Sequence, residues 1–289
     1  QTIVLGGFSM LALASAALAL TPPPVRRPAP ALLRDRQPTW SNPQGATLTQ
    51  IREDVWLAER PFYPTLPGLQ GTDVGCKMCV VRLPDGTLWV HAPVALDDAL
   101  RRALAELGEV RHIVTPNTEH QKWAAPWILE FPDAASYAPP GLREKKPEVG
   151  WKRSLEELCD LGVTSSAPPA EWGGAIQLCW LKDRVPLTSV PFFNEVVFAH
   201  VPSRTLIVTD LWWNYPSSDD VPTSSKIWKA AMDNIYRPVY NRLMRGPNWD
   251  ESYDTIMGFD FDYIAPCHGE PVATDGKAVL ARHLAKIAS

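Results

Sequence analysis

The sequence predicts a layered α/β domain over residues 45–289, and three observations carry that prediction. Short apolar or alternating runs recur between stretches with helical spacing, the pattern of strands and helices packed in layers. Three of those runs end in polar residues: Thr115–His120 (TPNTEH), Thr209-Asp210 and Cys267-His268-Gly269. Strand ends that open into loops are where α/β folds gather functional side chains. No second linker, internal repeat or low-complexity tract interrupts the segment, so one domain is expected.

The elements follow in order. Asp54–Arg60 alternates as a strand. Cys79–Leu83 is a second, Pro84-Asp85-Gly86 turns the chain, and Thr87–His91 is a third. Asp97 is placed to cap a helix that aligns Leu96, Leu100, Ala103, Leu104 and Leu107. His112–Thr115 is a strand that ends at Pro116-Asn117, Lys122–Leu129 is helical, and Ser136–Ala138 is a short strand. Ser154-x-x-Glu157 forms a capping box. Ala175–Leu181, Glu195–His200 and Thr205–Asp210 read as strands, the last of buried type. Ser224–Arg245 is the longest helix, and Pro238 should kink or break it. Asp262–Ala265 is the final strand before Pro266–Pro271, and a last helix runs from Gly276 to Ile287.

The start of the chain has a chemistry of its own. No charge occurs from Gln1 to Val25, and residues 1–21 read as a transmembrane helix, with Thr2–Thr21 long enough to span a bilayer core. A cleavable signal, with its Ala-x-Ala steps, and a buried core helix are the alternatives. Residues 22–44 form a proline-rich linker or arm. Arg26, Arg27, Arg34 and Arg36 place the C-terminal side in the cytoplasm or stroma. A charged share of 21% and a net charge of −4 exclude wholesale disorder and non-specific nucleic-acid binding. The five cysteines are an odd number, which argues against a disulfide framework. Cys76-x-x-Cys79 abuts a strand, where positions three apart face opposite sides, so packing rather than redox chemistry is expected. No glycine-rich phosphate loop and no Gly-x-Ser-x-Gly elbow is present.

TPNTEH, YAPPGL, NEVVFAHVPSRTLIVTDL and IAPCHGEPV resemble segments of the metallo-β-lactamase-like hydrolase superfamily, and of a branch found in plants, algae and cyanobacteria. The resemblance implies a four-layer αβ/βα sandwich preceded by the transmembrane helix. It also implies a metal motif with losses. The three histidine positions of the first ion fall on Thr115, Asn117 and near Pro191, and all are degenerate. The ligands of the other ion are matched by Glu119, His120, Asp210 and His268. No cofactor is therefore expected, with a single Zn²⁺ on those four residues as the alternative. The structural alternative has Glu119 and His120 capping the following helix and Asp210 binding loop amides.

His91 reads as a packed strand-end residue. Trp212, Trp213 and Tyr215, with Trp228, Tyr236, Tyr240 and Trp249, form a lid over the site mouth or a partner or membrane surface. The leading expectation is a catalytically inactive, membrane-anchored domain serving as a structural subunit of a membrane complex. Its partners would be other membrane subunits and the bilayer through residues 2–21, with the resemblance pointing to a plastid thylakoid and a stromal domain. The alternatives are a one-metal hydrolase and a small-ligand binding module.

Overall fold

The structure, a computed structural model, describes residues 39–63, 73–158, 168–185, 187–188, 190–215 and 221–285. The expected transmembrane helix, most of the arm, Cys159 and the end of the last helix lie outside the described residues. Among the described residues, no helix is long and apolar enough to cross a membrane.

The first half builds β1 (Thr49–Arg52), β2 (Val55–Arg60), β3 (Cys76–Arg82), β4 (Leu88–His91), α1 (Asp98–Leu107), β5 (Val110–Val114), α2 (Ala124–Glu130), β6 (Ala135–Ala138), α3 (Leu142–Lys145) and β7 (Arg153–Ser154). The seven strands lie side by side in sequence order. β1 to β4 are antiparallel, whereas β4 to β7 are parallel. The Asp97 carboxylate accepts the Leu100 N–H at 2.9 Å, as its capping position predicts. Ser154 and Glu157 form the expected capping box over a short 3₁₀ turn.

The second half builds β8 (Ile176–Trp180), β9 (Val196–His200), β10 (Thr205–Asn214), α4 (Thr223–Ala231), α5 (Arg237–Val239), α6 (Trp249–Gly258), β11 (Tyr263–Gly269) and α7 (Gly276–Ala285). Its four strands run β11-β10-β9-β8, with β10 and β11 parallel. The expected kink at Pro238 takes another form. π-helical turns at Met232–Tyr236 and Tyr240–Met244 flank α5, which contains Pro238. A proline has no N–H to give an α-helical bond, and wider turns accommodate the gap. β10 and β11 also run further than predicted, because pairing resumes after a register slip, Trp213 with His268 and Asn214 with Gly269.

Three apolar layers hold the sheets and helices together. Leu100, Ala103, Leu104 and Leu107 of α1 pack on Met78, Val80 and Val90. Between the sheets lie Val55, Val81, Trp89, Trp172, Ile176, Phe198 and Ile207. Trp249 and Ile256 of α6, with Leu280 and Leu284 of α7, cover Val197, Leu206 and Val208. The order is thus helix, sheet, sheet, helix, and Cys76 and Cys79 fall in different layers, as strand alternation requires.

Candidate metal centre

The carboxyl ends of parallel strands β5, β10 and β11 open on one edge of the sandwich. β3 runs the other way, so its first residue, Cys76, reaches the same edge. There His120, Asp210, His268, Cys76 and Cys267 meet.

His120 is central. The loop after β5 turns because the Asn117 Oδ1 accepts the N–H groups of Glu119 at 3.0 Å and His120 at 2.9 Å. That turn aims the imidazole inward, where it is 8% exposed. Its Nε2 is 3.4 Å from Asp210 Oδ2 and 3.2 Å from His268 Nε2. Its Nδ1 is 3.5 Å from Cys267 Sγ and 3.8 Å from Cys76 Sγ. The two sulfurs are 3.3 Å apart. His268 Nδ1 lies 2.7 Å from the Gly75 carbonyl, an acceptor, so that nitrogen carries the proton and Nε2 offers its lone pair to the cluster.

Asp210 is held from three directions. β10 slips register on β11 between Val208 and Trp213. The freed N–H groups of Thr209, Asp210 and Leu211 donate to the Glu195 carboxylate at 2.7, 2.9 and 2.8 Å. Asn117 Nδ2 donates to Asp210 Oδ2 at 2.6 Å, and Trp213 Nε1 to Oδ1 at 3.0 Å. Glu195 is fully buried, and burial with the charge of Asp210 pushes its carboxyl up to about 7 against the pull of the three amides.

The cluster is strongly coupled electrostatically. Hydrogen bonds from Cys267 and His120 hold the Cys76 thiol well below its ordinary range, although burial opposes them. Burial disfavours charge on His120, but Asp210 and Cys76 outweigh it and raise its pKa. Burial and the neighbouring His120 charge lower His268. Burial likewise opposes ionisation of Asp210, and the His120 charge overcomes it.

The donors fit an ion. For N and O ligands about 2.05 Å from a tetrahedral centre, donor pairs stand roughly 3.3 Å apart. His120 Nε2 stands 3.2 Å from His268 Nε2 and 3.4 Å from Asp210 Oδ2, and His268 Nε2 stands 3.7 Å from the other carboxylate oxygen, Oδ1. Three of the four expected ligands therefore converge. Glu119 is exposed and lies outside the group, because the turn that points His120 inward leaves its neighbour on the rim. A cavity of about 50 Å³ lies between Glu119, His120, Cys76, Phe62 and Trp123. A second, of about 30 Å³, lies beside Asp210, Trp213, Tyr236 and Tyr240.

The positions expected to have lost ligands now make structural bonds. Thr115 is buried and its Oγ1 accepts the Trp151 Nε1–H at 3.0 Å. Asn117 places an amide where the resemblance puts the first ion, donating to Asp210. Pro191 is exposed and contributes nothing to the cluster. Trp213 stacks on Trp228 at 5.5 Å and lies 4.7 Å from His268, while the Tyr215 hydroxyl donates to the Val74 carbonyl at 2.7 Å. Trp212 and Tyr215 are buried. Trp213 and Tyr215 pack together beside the site, whereas Trp212 faces the helical layer against His283.

Cys76, expected only to pack, is the residue the sequence reading missed. Cys79 pairs with His91 at the end of β4, which places Cys76 beyond it on the functional edge, a placement that no local pattern announces. His91 packs as expected, stacked on Trp89 with neither ring nitrogen hydrogen-bonded to the protein.

Comparison with known proteins agrees with this architecture. A family model described as a domain of unknown function, DUF4336, matches residues 54–232. No curated protein matches the chain. A metallo-β-lactamase from Hirschia baltica superposes with a TM-score of 0.50 at 14% identity, covering 82% of this chain and 95% of that one. One from Erythrobacter litoralis, solved with β-mercaptoethanol in its active site, gives 0.52 at 14% identity, covering 83% and 95%. FIM-1 from Pseudomonas aeruginosa, in its mono-zinc form, gives 0.51 at 13% identity, covering 84% and 95%. The fold is that of the metallo-β-lactamases.

Proposed function

The chain belongs to the family described as a domain of unknown function, DUF4336, and from that premise we propose that it binds one divalent transition-metal ion for hydrolysis of a small substrate. The carrying observation is the convergence of His120 Nε2, His268 Nε2 and the two oxygens of the Asp210 carboxylate at ligand spacing. Three protein ligands leave a position open, the mark of catalytic rather than structural zinc sites. The mono-zinc FIM-1 form supports a single ion as compatible with this fold. Asn117 supports it further, since its amide fills the hydrogen-bonding role beside Asp210 that a second ion would otherwise take.

When bound, such an ion supplies Lewis-acid polarisation at neutral pH. The chain's own residues do the rest. Gly75 fixes the His268 tautomer, and Glu195, Asn117 and Trp213 fix Asp210. Glu119 stands on the rim of the 50 Å³ cavity, where it can accept a proton from a water lodged there. A cavity of that size holds one or two water-sized groups, so the substrate's reacting end is small. Metal content of the full chain prepared without chelator tests the reading. About one equivalent is expected, falling below about 0.2 in the His120→Ala variant. Less than 0.2 equivalents in the wild type would end it.

A second reading has its own observation. Ile227, Ile235, Val239 and Leu243 are exposed at spacings of four or eight along the α4–α5 segment. Such a stripe supports a role as an interaction subunit, as does the uncharged segment 2–21 proposed as a membrane anchor. Native extraction in mild detergent tests it, and migration as a free monomer counts against it.

A further inference from the structure

We propose that Cys76, Cys267 and the Nδ1 face of His120 form a second metal position, selective for a thiophilic d¹⁰ ion of the zinc type. It is distinct from the oxygen- and nitrogen-lined position on the other face of the same ring, and it does not depend on that position being filled.

The geometry carries it. A tetrahedral ion about 2.3 Å from sulfur and 2.05 Å from nitrogen sets N–S pairs roughly 3.6 Å apart and S–S pairs roughly 3.8 Å apart. His120 Nδ1 stands 3.5 and 3.8 Å from the two sulfurs. The sulfurs are 3.3 Å apart, so the site needs an opening of about half an ångström, within reach of small rotations at χ1. All three donors are buried, and the sulfurs sit in the apolar cluster around Met78, Val80 and Val90. Two thiolates and one imidazole in an apolar setting favour a soft or borderline ion over Mg²⁺ or Ca²⁺. With a divalent ion the two thiolate charges are neutralised, which removes the cost of burying them.

His120 makes the two positions exclusive. A neutral imidazole has one lone pair and one N–H. With Nε2 as ligand to the Asp210–His268 position, Nδ1–H donates to the sulfurs. With Nδ1 as ligand to the sulfur position, Nε2–H donates to Asp210. The ring's tautomer therefore decides whether an ion meets a hard or a soft donor set.

Cobalt titration of the reduced full chain, under anaerobic conditions, tests the assignment. A near-ultraviolet thiolate-to-cobalt charge-transfer band is expected. Cys76→Ser and Cys267→Ser should each lose it, Cys79→Ser should keep it, and His268→Ala should strengthen it by removing the competing position. Zinc-edge X-ray absorption of the wild type needs no variant, and a sulfur shell near 2.3 Å is expected. Visible cobalt bands with neither charge transfer nor a sulfur shell would overturn this inference and leave the proposed hydrolytic site standing. A band that survives both cysteine variants would also overturn it. Absence of any cobalt binding would overturn both.

Discussion

His91 offers a sharp test of the electrostatics, because its ring is buried without a partner. It is 1% exposed, stacked on Trp89 and edge-on to Phe198, and neither nitrogen is hydrogen-bonded to the protein. Burial first, and the charge of His120 second, depress its pKa from 6.5 to about 3. The unfolded chain thus takes up a proton below pH 6.5 that the folded chain refuses. The stability held by the neutral ring is complete above pH 6.5 and falls with pH until about pH 3, at roughly 1.4 kcal/mol per unit. At pH 5 the loss is about 2 kcal/mol. His200, 2% exposed and lowered to about 4 by burial, adds a loss of similar size. His91→Leu keeps the apolar packing and removes the titration. In chelator, its unfolding free energy from urea titration should match wild type within about 1 kcal/mol at pH 8 and exceed it by about 2 kcal/mol at pH 5. Parallel pH profiles for the two proteins would refute the reasoning.

Three further perturbations probe the scaffold around the cluster. Lys77→Met leaves the largely buried Glu59 carboxylate, 2.5 Å from the ammonium in the wild type, without its partner. Denaturant unfolding should show a loss of about 3–5 kcal/mol. Gly269→Ala places a methyl against the Asn214 carbonyl at a φ of +82°, so thermal unfolding should fall by the equivalent of about 1–3 kcal/mol and metal content should drop with it. Trp213→Phe preserves the stack on Trp228 but removes the donor to Asp210, so metal affinity in a chelator competition should weaken about 10–100-fold while the unfolding midpoint barely moves.

Much of the scaffold was legible because its signals are local. The Asp97 cap, the Ser154–Glu157 box and the apolar alternation of the sheet strands depend on residues a few positions apart, and each appears as read. His120, Asp210 and His268 were legible because their motifs sit at strand ends. Cys76 was not, since its importance arises only where β3 meets β11, 191 residues away along the chain. Glu119 was over-read, because sequence adjacency to His120 says nothing about which side of a turn faces inward. Glu195 was read only as the start of a strand, and its grip on three amides comes from a register slip that no short motif announces. The π-helical turns around Pro238 are a similar case, since the residue forbids one bond without dictating its replacement.

The cluster draws Cys76 and His120 from the seven-stranded half and Asp210, Cys267 and His268 from the four-stranded half. No short piece of the unfolded chain can reproduce it. An ion held there would act as a rivet across the two sheets, and the protein's resistance to unfolding would then gauge free metal. Above the dissociation constant, each tenfold rise in free ion adds about 1.4 kcal/mol to the folded state. The halves could drift apart only by first releasing the ion, which makes the strength of their docking a property of the surrounding solution as well as of the sequence.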